Sequence, residues 1–252
     1  KKLKTKNTKG PDGLSPHVIK NLNDSICLPL MLIFNASYNS GKLPLAWKSA
    51  HVTPVFKKGL SSAVSNYRPI SLTCVCCRLM ESIINDDMSS YLLTNNLITE
   101  HQHGFLKKHS TCTQLIECTH DWSLSLNQRK ATDVVYVDFS KAFDSVSHPK
   151  LIAKLISYGV SDKLLDWITS FLTCRKQRVK IGHCLSNESD VSSGVPQGSV
   201  LGPLLFSLFM NDIVYMFGDN LKVKLFADDV KIYMELNDIA DDLMLQRGLD
   251  NL

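Results

Sequence analysis

Asp138 closes an apolar run, Val134-Val135-Tyr136-Val137-Asp138-Phe139, and 90 positions later (228 minus 138) Asp228-Asp229 interrupt a second apolar stretch. The first run is β-branched and aromatic throughout, so it reads as a buried strand that delivers Asp138 at its end. The second reads as a hairpin, Lys222 to Ala227 and Val230 to Met234, turning at Asp228-Asp229. Carboxylates at strand ends are half-desolvated, which is costly unless a cation or partner offsets their charge. A strand tipped with Asp138 beside that hairpin would gather three carboxylates. Oxygen ligands of this kind favour Mg2+ or Mn2+, and two such ions roughly 3.5–4 Å apart suit in-line phosphoryl or nucleotidyl transfer. Each acid also has a plain structural reading. Asp-Asp is a common hairpin turn pair, and Asp138 alone could cap a strand end.

Other metal or thiol chemistry is weaker. Cys74 and Cys77 make a C-x-x-C with no second pair, inside the otherwise apolar segment 70–84, so buried packing is the expectation. His101, His103 and His109 near Cys112 match no ligand spacing, and Lys107 and Lys108 would oppose a cation. The eight cysteines sit in apolar or irregular contexts, which fits a reducing intracellular compartment, nuclear or cytoplasmic, better than a disulfide framework.

The elements that must position the acids follow from periodicity and turn chemistry. Ser15 can cap a helix with Pro16 at its first position, running to Leu32. Residues 50–56 alternate toward β and close on the basic turn Lys57-Lys58-Gly59. Pro69 holds Arg68 extended within Tyr67 to Leu72. Helices are expected at 77–93, 150–158, 162–172 and 200–216, with short strands at 176–181 and 190–192. Gly194-Val195-Pro196-Gln197-Gly198 is a stiff loop before the fourth of these helices, and a last helix starts at Asp238. The fold class is α/β (α+β).

The chain has 252 residues, with 28 Lys plus Arg against 24 Asp plus Glu, a formal charge of +4. Residues 1–126 carry 14 basic and 8 acidic side chains (+6), leaving 14 and 16 (−2) for residues 127–252. A hydrophobic fraction of 44% excludes a disordered or fibrous chain. No run reaches the roughly 20 apolar residues of a membrane span, and no apolar signal core follows Lys1. The Lys-rich residues 1–10 read as a mobile arm or the cut end of a longer protein.

Taken in order, the motifs carry a resemblance. Val135 to Asp144, Ser193 to Pro203 and Phe226-Ala227-Asp228-Asp229 resemble motifs A, B and C of reverse transcriptases. Gly10-Pro11-Asp12-Gly13, Asn66 to Leu72 and Gln102-His103-Gly104-Phe105 resemble the fingers motifs of the non-LTR (LINE-type) retrotransposon branch. The resemblance implies a right-hand polymerase fold forming one reverse transcriptase domain, with fingers at about 1–130 and palm at 131–252. A helical insertion would occupy about 148–190 of the palm, and the thumb would be absent.

It also implies roles. Asp138 and Asp228 would hold two Mg2+ ions (Mn2+ as a substitute), with the Phe139 backbone carbonyl as a further ligand and Asp229 as a weaker one. One ion would activate the primer 3′-hydroxyl and the other would clamp the triphosphate. Phe143 would lie under the incoming sugar and exclude a 2′-hydroxyl, selecting dNTP over NTP; its plain alternative is ordinary core. Asp144 has no metal role and would be a local cap or ion-pair partner. Gln197-Gly198 would lie against the templating base and nucleotide, although any Pro-x-Gly loop can simply turn the chain. Arg68, Lys57 and Lys58 would supply positive charge to the triphosphate, or be merely solvated.

The implied partners are an RNA template, a primer strand and dNTPs, with no membrane and an oligomeric state left open. Leu106 stands where the family more often has a basic residue, and Phe226 replaces the commoner Tyr. The family continues into a thumb beyond the end of this chain, so the expectation is a fingers-palm fragment of a longer polyprotein or a decayed genomic copy. Two rival readings remain: an inactive RNA-binding remnant, and an RNA-dependent RNA polymerase.

Overall fold

The computed structural model describes residues 9–218, 220–236 and 239–250, with residues 239, 240 and 242 described by backbone alone. The Lys-rich arm through residue 8 and Asp238, the expected start of the last helix, lie outside the described residues. The architecture is mixed α/β, divided into two compact units. One comprises the described residues up to Tyr91 with Phe143–Gly202. The other comprises Leu92–Ala142 and the described residues from Pro203 on.

The first unit is built on a five-stranded sheet. β1 (Ser49–Phe56) pairs antiparallel with β2 (Tyr67–Leu72) and parallel with β4 (Arg175–Ile181), which also pairs with β5 (Cys184–Leu185) and β6 (Ser189–Val191). Its helices are α1 (Pro16–Asn21), α2 (Asn23–Ser40), α3 (Val75–Thr94, through Tyr91), α6 (His148–Ser157) and α7 (Asp162–Leu172). The single helix expected from Ser15 onward is two. Ser15 Oγ does accept from the Val18 amide (3.3 Å), but Leu22 leaves helical geometry and the second helix runs to Ser40. Gly41 stops it in the left-handed region.

Strong amphipathicity in α6 and α7 buries Leu151, Leu155, Trp167, Ile168, Phe171 and Leu172 completely. Trp167 Nε1 donates to Ser37 Oγ (3.0 Å), so this indole joins α7 to α2 without an orphaned polar atom. Arg175 is also buried. It donates to the Phe171 carbonyl (3.0 Å) and lies 5.1 Å from that ring centroid. Burial pushes its pKa down, while Cys77 and Glu81 act in the opposite direction.

The second unit is a three-stranded antiparallel sheet, β3 (Ala131–Asp138), β8 (Asp229–Leu236) and β7 (Lys222–Phe226) in that order. α4 (Thr111–Asn127), α8 (Gly202–Met210, from Pro203) and α9 (Ile239–Asp250) complete it. Alternation sorts β7 and β8, whereas β3, expected as a buried strand, has no buried residue because its residues are only half-covered or exposed. Val223, Leu225, Val230 and Ile232 point to one buried face. Lys222, Lys224, Lys231 and Tyr233 share the other, which α4 meets with polar groups.

Those contacts are specific. Asp121 takes Lys222 (2.8 Å) and the Tyr233 hydroxyl (2.6 Å), Glu117 pairs with Lys224, and Gln114 accepts from Lys231 (2.9 Å). Burial opposes ionisation of Asp121, but the hydrogen bonds from Lys222 and Tyr233 outweigh it and lower its pKa. Burial and Asp121 together push the Tyr233 phenol up. The expected helix over 200–216 is α8 followed by a 3-10 turn at Ile213–Met216, because Asn211 leaves the helix pattern. Asn211 Oδ1 instead accepts from the Thr99 amide (2.9 Å), and its Nδ2 donates to the Leu97 carbonyl (2.9 Å).

Three histidines bear on stability. Burial is the leading cause that lowers His51, His101 and His103 from 6.5, with Lys180 and Arg178 adding at His51 and Lys224 at His101. At His103, Glu117 opposes the shift. Below pH 6.5 the unfolded chain therefore binds more protons than the folded one, so stability is held above that value and lost as acid is added. The urea midpoint should fall between about pH 7 and pH 5, and His51→Gln should flatten that slope.

Candidate active site

The register of β3 and β8 runs from Ala131 opposite Leu236 to Asp138 opposite Asp229. Residues directly opposite in an antiparallel pair project from the same face, with Cβ atoms about 4.5–5.5 Å apart. Ala227-Asp228 form the two-residue turn between β7 and β8, closed by Phe226 opposite Asp229. The three acids singled out by type and spacing thus fall at one end of one sheet. Only their placement differs in detail: Asp228 is in the turn, whereas Asp229 already belongs to β8.

Asp138 and Asp229 are exposed and Asp228 is partly so. Among the described residues, neither Asp138 nor Asp229 finds a hydrogen-bonding or ion-pair partner for its carboxylate. Nor are any three His, Cys, Asp or Glu side chains among them gathered tightly enough to hold a metal ion. Like charges directly opposite destabilise a sheet by roughly 0.2–1 kcal/mol, and here a third acid adjoins the pair. The donors are hard carboxylate oxygens, with the Phe139 carbonyl following at the end of β3. In chemical type this set fits Mg2+ or Mn2+, whose charge would offset the repulsion. Two residues back on the same face, Lys231 lies 5.9 Å from the Tyr136 ring centroid.

The nucleotide-directed residues belong to the first unit. Phe143-Asp144 lie in the short helix α5 (Ala142–Ser145), and the loop 194–198 is fastened to it. Val195 N donates to the Phe143 carbonyl (2.8 Å), Ser193 Oγ to the Asp144 carbonyl (2.8 Å), and Gln197 Nε2 to Asp144 Oδ1 (2.9 Å). His148 Nε2 donates to the Gly194 carbonyl (2.8 Å). On the other side, the Gln197 carbonyl accepts from Ser71 N of β2 (2.7 Å), the strand that carries exposed Arg68. Phe143, Gln197, Gly198 and the strand of Arg68 are therefore brought together. Lys57 and Lys58 are exposed at the end of β1, where Lys57 N donates to the Asn66 carbonyl (2.8 Å).

Asp144, which the motif leaves without chemistry, is the side chain that orients Gln197. Gly198 has a requirement of its own kind: φ is +106°, and a Cβ there would stand 2.8 Å from the Ser71 carbonyl oxygen. The need for glycine thus already arises from β2.

Glu81 is the residue that sequence reasoning missed in this loop. It is completely buried in α3, and its Oε2 accepts from Val200 N (2.7 Å) and Leu201 N (3.1 Å), directly after Gln197-Gly198. An acid within the otherwise largely apolar segment 70–84 was the available signal. Glu81→Ala would orphan both amides and remove negative charge near Arg175. Unfolding in urea should show a loss of about 3 kcal/mol.

Residues 55–250 match the model of the reverse transcriptase (RNA-dependent DNA polymerase) family, and the chain belongs to that family. It is 34% identical over 257 aligned positions to the RNA-directed DNA polymerase from mobile element jockey of Drosophila funebris, covering 99% of this chain and 28% of that protein. It is 31% identical over 250 to the probable RNA-directed DNA polymerase from transposon BS of Drosophila melanogaster, covering 94% and 27%. A third similar protein is the probable RNA-directed DNA polymerase from transposon X-element of the same species, at 30% over 235 positions, covering 90% and 26%. The chain thus spans about a quarter of the length of these relatives. Among the described residues no helix is long and apolar enough to cross a membrane.

Proposed function

We propose that this chain is the nucleotidyl-transfer portion of a mobile-element reverse transcriptase, copying an RNA template by adding dNTPs to a primer 3′ end. The observation that carries the reading is Asp138 opposite Asp229, with Asp228 in the adjoining turn, in a member of the reverse transcriptase family. In this right-hand polymerase reading the three-stranded sheet belongs to the palm and β1–β2 to the fingers.

Asp138, Asp228, Asp229 and the Phe139 carbonyl would hold divalent ions. When bound, such ions supply Lewis-acid charge to the reacting hydroxyl and phosphate oxygens. Phe143 presents its ring to the incoming sugar. Gln197, oriented by Asp144 and by Ser71, and Gly198 line the nucleotide; Arg68, Lys57 and Lys58 attract its phosphates. The expected partners are an RNA template, a primer strand and dNTPs.

Primer extension on an RNA template tests the reading. Incorporation of dNTPs should stop with EDTA and return on adding Mg2+ or Mn2+. RNA retained on a filter with no incorporation under any divalent ion would favour a binding remnant instead.

A further inference from the structure

We propose that Gln102 is a positioning residue for the turn that carries Asp228. The inference rests on the assignment of Asp228 and Asp229 to divalent ions, and it gives the Gln102-His103-Gly104 segment a task of its own. Gln102 is completely buried, and its Oε1 accepts two backbone amides, Gly104 N (2.7 Å) and Ala227 N (3.0 Å). The surrounding backbone is laid against β7. Leu225 N donates to the His101 carbonyl (2.9 Å), His103 N donates to the Leu225 carbonyl (2.8 Å), and Gln102 and Leu225 form a parallel bridge.

The turn needs such a support. Two-residue hairpin turns with a positive φ draw on Gly or Asn, because a Cβ crowds the backbone there. Here the position is Ala227, at φ +57°. An acceptor aimed at its amide holds the peptide that enters the turn carrying Asp228. Gly104 makes the approach possible, since a Cβ at that residue would stand 2.3 Å from Ala227 N. Meanwhile Gln102 Nε2 is buried without a hydrogen-bond partner among the described residues. A buried carboxamide with one end unsatisfied is costly, so its retained use is the oxygen that holds the turn. The upstream segment comes to this position from Asn211, which anchors Leu97 and Thr99.

The test uses the chain as it stands, with Mn2+ alone as the probe. In Gln102→Met, which keeps the length and removes the acceptor, the Mn2+ dissociation constant read by electron paramagnetic resonance should rise about 10- to 100-fold. Incorporation at limiting Mn2+ should fall and recover as Mn2+ is raised, because the lesion acts through the acids that hold the ions. Should Gln102→Met not fold by circular dichroism, Gly104→Ala displaces the same contact and is read in the same way. The amide exchange of Ala227 in the unmutated chain reports independently: it should be slowed at least about hundredfold relative to an open turn. Wild-type Mn2+ affinity in a folded variant, or free exchange at Ala227, overturns the positioning role. Asp228→Ala separates the two levels. If it binds Mn2+ like wild type, the metal assignment itself falls; if it loses Mn2+ while folded Gln102→Met or Gly104→Ala does not, only the positioning role falls.

Discussion

Asp138→Asn should lower kcat for dNTP addition about 10³-fold, equivalent to ~4 kcal/mol of transition-state stabilisation, while making the apo chain slightly more stable. The two effects have one cause. Asp138 stands directly opposite Asp229, both exposed, with Asp228 one residue before Asp229. Without a cation, removing one charge relieves a like-charge pair, worth roughly 0.2–1 kcal/mol to the sheet. With a cation, the same removal takes away a ligand. Thermal melts in EDTA should therefore place the variant at or above wild type. In millimolar Mg2+ the order should reverse, because ligand binding to the folded state stabilises only the chain that retains the site. A residue serving merely as a strand-end cap would show the opposite pattern, with lost stability in EDTA and no response to Mg2+.

The second large effect concerns sugar selection. Phe143→Ala should shift the ratio of dNTP to NTP use toward NTP by about 10- to 100-fold, the range open to a steric apolar contact. Phe143 fastens the 194–198 loop through its backbone carbonyl, which accepts from Val195 N at 2.8 Å. Truncating the ring leaves that bond in place, so the change should appear in discrimination rather than as a collapse of activity. Steady-state incorporation of dTTP against UTP on one RNA template reads it directly. An unchanged ratio would return Phe143 to the role of ordinary core and reopen the RNA polymerase reading.

Much of the placement of the candidate acids was legible because its logic is local. A β-branched run ending in Asp138 and an alternating hairpin around Asp228-Asp229 declare strands and a turn by periodicity, and antiparallel register then needs only adjacency to set the acids together. Helix α4 was missed. Its apolar residues do not repeat as a stripe, since it meets the sheet through Gln114, Glu117 and Asp121. The Ser110–Thr113 capping box at its start was the readable signal. The break at Leu22 between α1 and α2 has no proline or glycine to announce it. The partners of Glu81 and Gln102 were illegible for another reason. Each side chain satisfies backbone amides more than a hundred positions away, and a buried polar side chain does not name its partner in sequence.

We propose that the acids at the β3–β8 end carry RNA-directed DNA synthesis. It is tested most directly by dTTP incorporation on poly(rA) primed with oligo(dT) in Mg2+, comparing wild type with Asp228→Ala. Wild type should show template-dependent incorporation, and the variant should lose about 10³-fold or more. Equal incorporation by the two proteins, at whatever level, would contradict it.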